Sequence, residues 1–486
     1  MAVGYRLATC VVTGLSLWLI AGVSWAGDTS TQPPAPGIPS GPIAAEKLQA
    51  DLEVLVSTIK EVHPNPYAYV PEAEAAMTFD RLRPAVDRPM TRKDFYRLVA
   101  PGVASLKNGH TFVHPFAEEF KAYIDGGGGV FPIAVQFEQE RVILRDCLGE
   151  GSLPLGGEIL AINRQGAKEL CQRYASYMPG EGRAANPAQI ERAEVLWVCL
   201  WLDFGADNPL ELKIKGLDGK TATYAINPVT FEEIKSRRGL LSSGKSPYEF
   251  RYLEDSKCGL ITMREFKDRT AFGSLLKKTF HELRSNGATS LIIDLRSCPG
   301  GDSQCGDMLL DYLTDQPFRQ FERCEMKMLP QFVGMFLPAS EYDEARKGAL
   351  LTNDEIPLVR PKQNPLRFQG RKIVLIGRKS FSSSNSFAGC VKHYGIATLV
   401  GEEAGDPTDC YGECFNVTLP NSGITVSIAA KHFVCPGSLG DGRGAMPDHE
   451  VKQTPEDLAV GKDTVLAYAL EQLRKASTGK TEPPNR

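Results

Sequence analysis

The chain has almost no net charge for its length, −4 over 486 residues. A surface so nearly balanced offers no basic field for a nucleic acid or an anionic membrane, so neither is expected as a partner. No apolar run after about residue 23 is long enough to span a bilayer. No internal repeat is present. The close cysteine pairs, Cys410 with Cys414 in "CYGEC" and Cys298 with Cys305, have no second pair nearby at zinc-finger spacing. Histidine is scarce, seven in all, which leaves few candidates for a general base.

The remaining composition is that of an ordinary folded protein, 42% hydrophobic and 23% charged, and the length suits two to four domains. The chain begins with one cation, Arg6, then an apolar run to about Val23, then Ser24-Trp25-Ala26. That is the pattern of a secretory signal over residues 1–26, cleaved after Ala26, and the mature protein is expected to be exported to a periplasm or the extracellular space, with no integral membrane span. Cys10 would leave with the signal. Of the twelve cysteines eleven remain, an odd number, so disulfides are permitted there but at least one thiol is unpaired.

Residues 27–43 are rich in Pro, Gly and Ser and read as a flexible leader. Over 44–124 the pattern is helical: Leu48, Leu52, Leu55 and Ile59 recur on one face. Between 125 and 228 the texture changes to short strands separated by Gly and Pro, such as "VFPIAVQFE", "RVILRDC" and "LELKIKG". Within it "LPLGGEILAINRQGAKEL" reads as turn, strand, tight turn and helix start, and resembles the central segment of a PDZ domain, which implies peptide binding by strand addition. Over 247–477 strands and helices alternate. "SLIIDLR" and "KIVLIG" are apolar runs of the kind buried on both faces of a sheet, and an α/β layer is expected.

Two strand ends carry the chemistry. "SFSSSNSFAG" places five serines between Ser380 and Ser386, where the strand ending near Gly377 feeds a helix. A helix start has free backbone N–H groups and a positive dipole end, which suit either a serine N-cap or an oxyanion beside a nucleophile. "DLRSCPGGDS" ends the other strand, and Gly300 and Gly301 can bring bare backbone amides to a substrate carbonyl. A serine nucleophile needs a base. His110, in "KNGHTFV", is the candidate at the edge of the helical region; His393 lies on the far side of the helix after the serines.

Taken together, the "DLRSCPGG" strand end, the "FSSSNSFAG" segment, "LVGE" at 399–402 and "GAMPDHEV" from Gly444 resemble the C-terminal processing (tail-specific) family of serine peptidases. The resemblance runs from about Pro247 to Ser477 and implies a crotonase/Clp-protease-like catalytic domain. It implies Ser382 as nucleophile, and the amides of Ser383 and of Gly300 or Gly301 as oxyanion hole. Many members carry a dyad lysine about twenty-five residues after the serine; here that position is Pro407, flanked by Asp406 and Thr408, while Lys392 and Lys431 stand elsewhere in the pattern. A tricorn-like branch uses histidine from a "DGH-T" segment, matched by "NGHTFV", and a late acid. This implies His110 as base and Asp441, in "DGRGAMPDHE", as its acid, with Asp448 belonging to the structural end of the motif. Asn108 and Asn385 stand where the family often has carboxylates.

The implied reaction is hydrolysis of peptide or protein substrates by acyl transfer, with no metal or organic cofactor. Two other readings compete: a catalytically inactive peptide-binding member of the same fold, supported by Asn108 and Asn385, and acyl-CoA chemistry on the related crotonase fold, opposed by the secretory signal and the PDZ-like insert.

Overall fold

The structure is a computed structural model that describes residues 41–147, 153–183, 190–238 and 246–477. The expected signal and all but the last residues of the expected leader lie outside the described residues. Among the described residues no helix is long and apolar enough to cross a membrane.

Three helices come first, Ala45–Val62, Glu72–Ala85 and Arg92–Ala104. The first buries Leu48, Leu52, Leu55 and Ile59, the stripe its spacing predicts. The third is capped by Thr91, whose side chain accepts from the Asp94 amide. Beyond it Lys107, at a φ of 56°, turns the chain into the short strand Phe112–Val113. This strand pairs antiparallel with Val426 and Ser427 of a hairpin far along the chain. The helical region therefore joins a sheet of the C-terminal half, and this is what carries His110 across.

The strand-rich region forms an antiparallel sheet in the order Ile133–Glu138, Arg141–Cys147, Glu158–Ile162, Leu210–Lys215 and Thr221–Ile226. Along 210–215, buried Leu210, Leu212 and Ile214 alternate with exposed Glu211, Lys213 and Lys215, the period of a half-covered strand. The helix Ala167–Ala175 stands where "GAKEL" predicts one. A second helix, Ala193–Phe204, is not foreseen in a region read as strands. It is apolar on nearly every side and so shows no stripe; Trp197 is buried in it and donates from indole Nε1 to the Ile133 carbonyl at 2.9 Å.

The C-terminal half is built on a six-stranded sheet ordered Tyr248–Leu253, Cys258–Met263, Ser290–Asp294, Arg371–Ile376, Thr398–Gly401 and His449–Glu450. The first pair is antiparallel and the others are parallel. Leu291, Ile293, Val374 and Ile376 pack beneath the helices Arg269–Ser285, Ser303–Leu310 and Ser383–His393. Ile292, Ile373 and Leu375 face Val465, Ala469 and Leu473 of the C-terminal helix Thr464–Ser477. Burial on both faces is why these strands read as unbroken apolar runs. The stretch 316–370, to which no element is assigned from sequence, supplies Arg323–Lys327 and Leu350–Asn353; with the hairpin Asp409–Thr418 and Thr425–Val434 and the strand Phe112–Val113 they make a five-stranded antiparallel sheet. Of the eleven described cysteines, all but Cys414 are buried.

Ile293 is fully buried between sheet and helices. Ile293→Ala should lower unfolding stability by about 2–5 kcal/mol, read as a shifted urea midpoint; an unchanged midpoint would place this sheet outside the cooperative core.

Candidate active site

The turn that carries Ser382 follows directly from the sheet. The strand Arg371–Ile376 ends, and Ser380 fixes the turn: its Oγ donates to the Leu295 carbonyl at 2.8 Å and accepts the Gly377 amide at 3.0 Å. Ser382 is the residue before the helix Ser383–His393, yet its side chain does not cap that helix. Its backbone sits at φ 55°, ψ −128°, a region that L-residues avoid, at a cost of about 1–3 kcal/mol. That conformation turns Oγ away from the helix and toward His110, whose Nε2 lies 3.2 Å from it. The two residues are 272 apart in sequence.

His110 is buried and held on two sides. Its ring stacks on Phe381, centroids 4.7 Å apart and planes 26° apart. Its Nδ1 lies 3.4 Å from Oε2 of Glu181. Glu181 is fully buried; Oε2 also accepts the Gly109 amide at 3.2 Å, and Oε1 accepts the Tyr411 amide at 2.7 Å and the Tyr69 hydroxyl at 3.3 Å. Donors on this scale make a buried carboxylate tolerable. Burial, with the Glu181 charge next, pushes the Tyr69 phenol well up, so it serves as a donor. Gly109 is required to be glycine: a Cβ there would come within 2.7 Å of the Phe381 ring and 3.1 Å of Glu181 Oε2.

Asp441, the acid implied by the resemblance, is not on His110. Its Oδ1 accepts the Arg443 amide at 3.1 Å, and its side chain is 39% exposed. Gly440 and Gly442, both at positive φ, turn this segment so that the carboxylate faces outward. The segment does touch the one that carries Glu181, through the Arg183 amide to the Gly442 carbonyl at 3.1 Å. Glu181 thus stands where Asp441 was expected. No periodicity or motif in "YMPGEGR" marks it, because the pairing of 181 with 110 exists only in three dimensions.

The oxyanion candidates lie together. A Cβ on Gly300 would fall 2.8 Å from both Ser382 Cβ and the Ser383 nitrogen, so the space over that first-turn amide is open only because residue 300 is glycine. Gly301 is locked against the Phe266 backbone, where a Cβ would meet the carbonyl at 2.0 Å, and its own carbonyl accepts from Ser383 Oγ at 2.5 Å. Asn385 spends both ends of its amide: Nδ2 donates to the Pro407 carbonyl at 2.8 Å and Oδ1 accepts the Ala445 amide at 2.9 Å. A carboxylate could not make the first bond. Asn108 is buried beside His63. Lys392 and Lys431 pair with Asp448 and Glu413, and Asp448 also accepts the Leu399 amide at 2.8 Å. Among the described residues no group of three or more His, Cys, Asp or Glu side chains is placed to hold a metal ion.

Residues 257–451 match the family model of peptidase family S41. The chain carries an S41 peptidase domain. The match supports classing it with the serine-type endopeptidases, whose substrates are peptides or proteins. No curated protein sequence matches the chain. Among solved structures, a CPAF mutant is similar at 14% identity, covering 91% of this chain and 99% of that one with a TM-score of 0.62. Mature CPAF complexed with lactacystin is similar at 16% identity, covering 90% and 99% with a TM-score of 0.62. Mature CPAF alone is similar at 15% identity, 90% and 98%, with a TM-score of 0.58. At these identities the likeness is one of fold.

Two substitutions separate the two candidate acids. Glu181→Ala should lower kcat by about 10²–10⁴, and Asp441→Ala should leave it within about threefold. Steady-state kinetics on a peptide substrate reads both, and the opposite ranking would assign the acid to Asp441.

Proposed function

We propose that the chain is an exported serine endopeptidase that cleaves peptide bonds through an acyl-enzyme on Ser382. The observation that carries this reading is the 3.2 Å approach of His110 Nε2 to Ser382 Oγ at a strained strand-to-helix turn. In the first step Oγ attacks the substrate carbonyl carbon while His110 Nε2 takes the hydroxyl proton. The imidazolium so formed is stabilised by Glu181 at Nδ1, which also selects the tautomer with Nδ1 protonated. The tetrahedral oxygen is held by the amide of Ser383 and by that of Gly300 or Gly301, each worth roughly 3 kcal/mol. His110 then protonates the leaving nitrogen and the C–N bond breaks. Water attacks the acyl-enzyme by the same route and releases Ser382. No step requires a metal or organic cofactor.

The domain reading accompanies it: residues 1–26 a signal peptide, 27–43 a leader, 44–124 a helical region, 125–228 a PDZ-like domain and 247–477 a crotonase/Clp-protease-like catalytic domain. The edge strand Thr221–Ile226 of the strand-rich sheet is largely exposed and offers a place for an extended peptide to add as a strand.

A fluorophosphonate probe tests the reading. Wild-type protein should be labelled, and the label should vanish in Ser382→Ala and fall steeply in His110→Ala. Gly300→Ala should react poorly too, since its Cβ would fill the space over the Ser383 amide. Folded wild-type protein that takes no label would favour an inactive peptide-binding member.

A further inference from the structure

A second buried carboxyl group lies beside Ser382 and takes no part in the proton path above. Asp406 is fully buried. Its Oδ2 accepts the amide of Ser382 at 2.8 Å. Its Oδ1 is buried with no hydrogen-bond partner. The titratable groups facing it are Glu181, Cys410, Cys435 and Arg192, and among the described residues no ion pair within 4.0 Å includes Asp406. The contrast with Glu181 is one of donors: Glu181 collects two backbone amides, a tyrosine hydroxyl and a histidine, whereas Asp406 collects one amide and the weak donor of the Cys410 thiol. Two carboxylates cannot both ionise cheaply in such a space, and the one with fewer donors keeps its proton.

We propose that Asp406 enters the active site as a neutral carboxylic acid and is the positioning residue of the nucleophile. The proposal rests on the reading of Ser382, His110 and Glu181 as the catalytic groups. One oxygen accepts the Ser382 amide and pins the residue in its strained conformation; the proton sits on Oδ1, the oxygen that no donor reaches. The site thereby holds a single negative charge, at Glu181, where it serves His110. Burial first, and then the Glu181 charge, push the Asp406 carboxyl well above the ordinary carboxylate range, as this arrangement requires.

Asparagine tests it, because an amide keeps the acceptor oxygen and cannot ionise. Asp406→Asn should keep kcat within about threefold of wild type, while Asp406→Ala should lose about 10–100-fold in kcat with KM little changed, the mark of a displaced nucleophile. Stability gives an independent readout. A carboxyl whose folded pKa lies above its unfolded value, about 4, makes the protein less stable as pH rises from there to the folded pKa. Asp406→Asn removes that loss, so its Tm should exceed the wild-type Tm at neutral pH and converge on it toward pH 4. An Asp406→Asn variant as impaired as Asp406→Ala, or one that melts below wild type at neutral pH, overturns the proposal. Should Asp406→Ala fail to fold, Asp406→Asn decides alone. Fluorophosphonate labelling separates the two failures: unlabelled wild type sinks the reading of Ser382, whereas labelled wild type with unlabelled Asp406→Asn sinks only the role of Asp406.

Discussion

Glu181 is a carboxylate with no exposure to water, held by groups from three distant parts of the chain. Gly109 and His110 come from the end of the helical region, Tyr69 from the turn before the second helix, and Tyr411 from the hairpin of the C-terminal half. Each of these contacts is needed for the others. Without the amides and the hydroxyl the buried charge would be too costly to keep; without the charge nothing fixes the Nδ1 side of His110. The proposed site is therefore a junction: the helical region brings His110, the strand-rich region brings Glu181, and the six-stranded sheet leads into the turn of Ser382.

The geometry at Ser382 depends on small residues and close contacts. Gly109 lets the histidine segment lie against Phe381, Gly300 leaves the first-turn amide open, and Phe381 packs its ring on His110. The strain at Ser382 is held by the burial of both neighbours, by Ser380 locking the turn and by the Asp406 acceptor beneath the amide. A serine that merely capped its helix would need none of this, and the Ser382 side chain does not cap.

Much of this is legible in the sequence because local rules dominate there. Apolar runs such as "SLIID" and "KIVLI" announce strands covered on both faces, and the Leu48–Ile59 stripe announces an amphipathic helix. Ser382, His110 and the paired glycines are picked out by the resemblance to family motifs, since position and spacing alone leave a helix cap, a structural histidine and a plain turn as the readier readings. What is not legible depends on long-range packing. The helix Ala193–Phe204 is buried all round and has no periodic face. Glu181 lies in a glycine-flanked turn with no motif, and Asp441, which does occupy a motif position, is turned outward by its two flanking glycines. Asp406 is passed over as a neighbour of the missing lysine, yet it sits directly beneath the nucleophile's amide.

The central claim is that one buried cluster, Ser382–His110–Glu181, forms the acyl-transfer site. A crystal structure of the protein inactivated by a peptidyl phosphonate tests it most directly. The expected structure has a covalent bond from Ser382 Oγ to phosphorus, the phosphonyl oxygen against the Ser383 amide, and Glu181 on His110 Nδ1. Phosphorus bonded to another residue, or Asp441 swung in to replace Glu181 on His110, would contradict it.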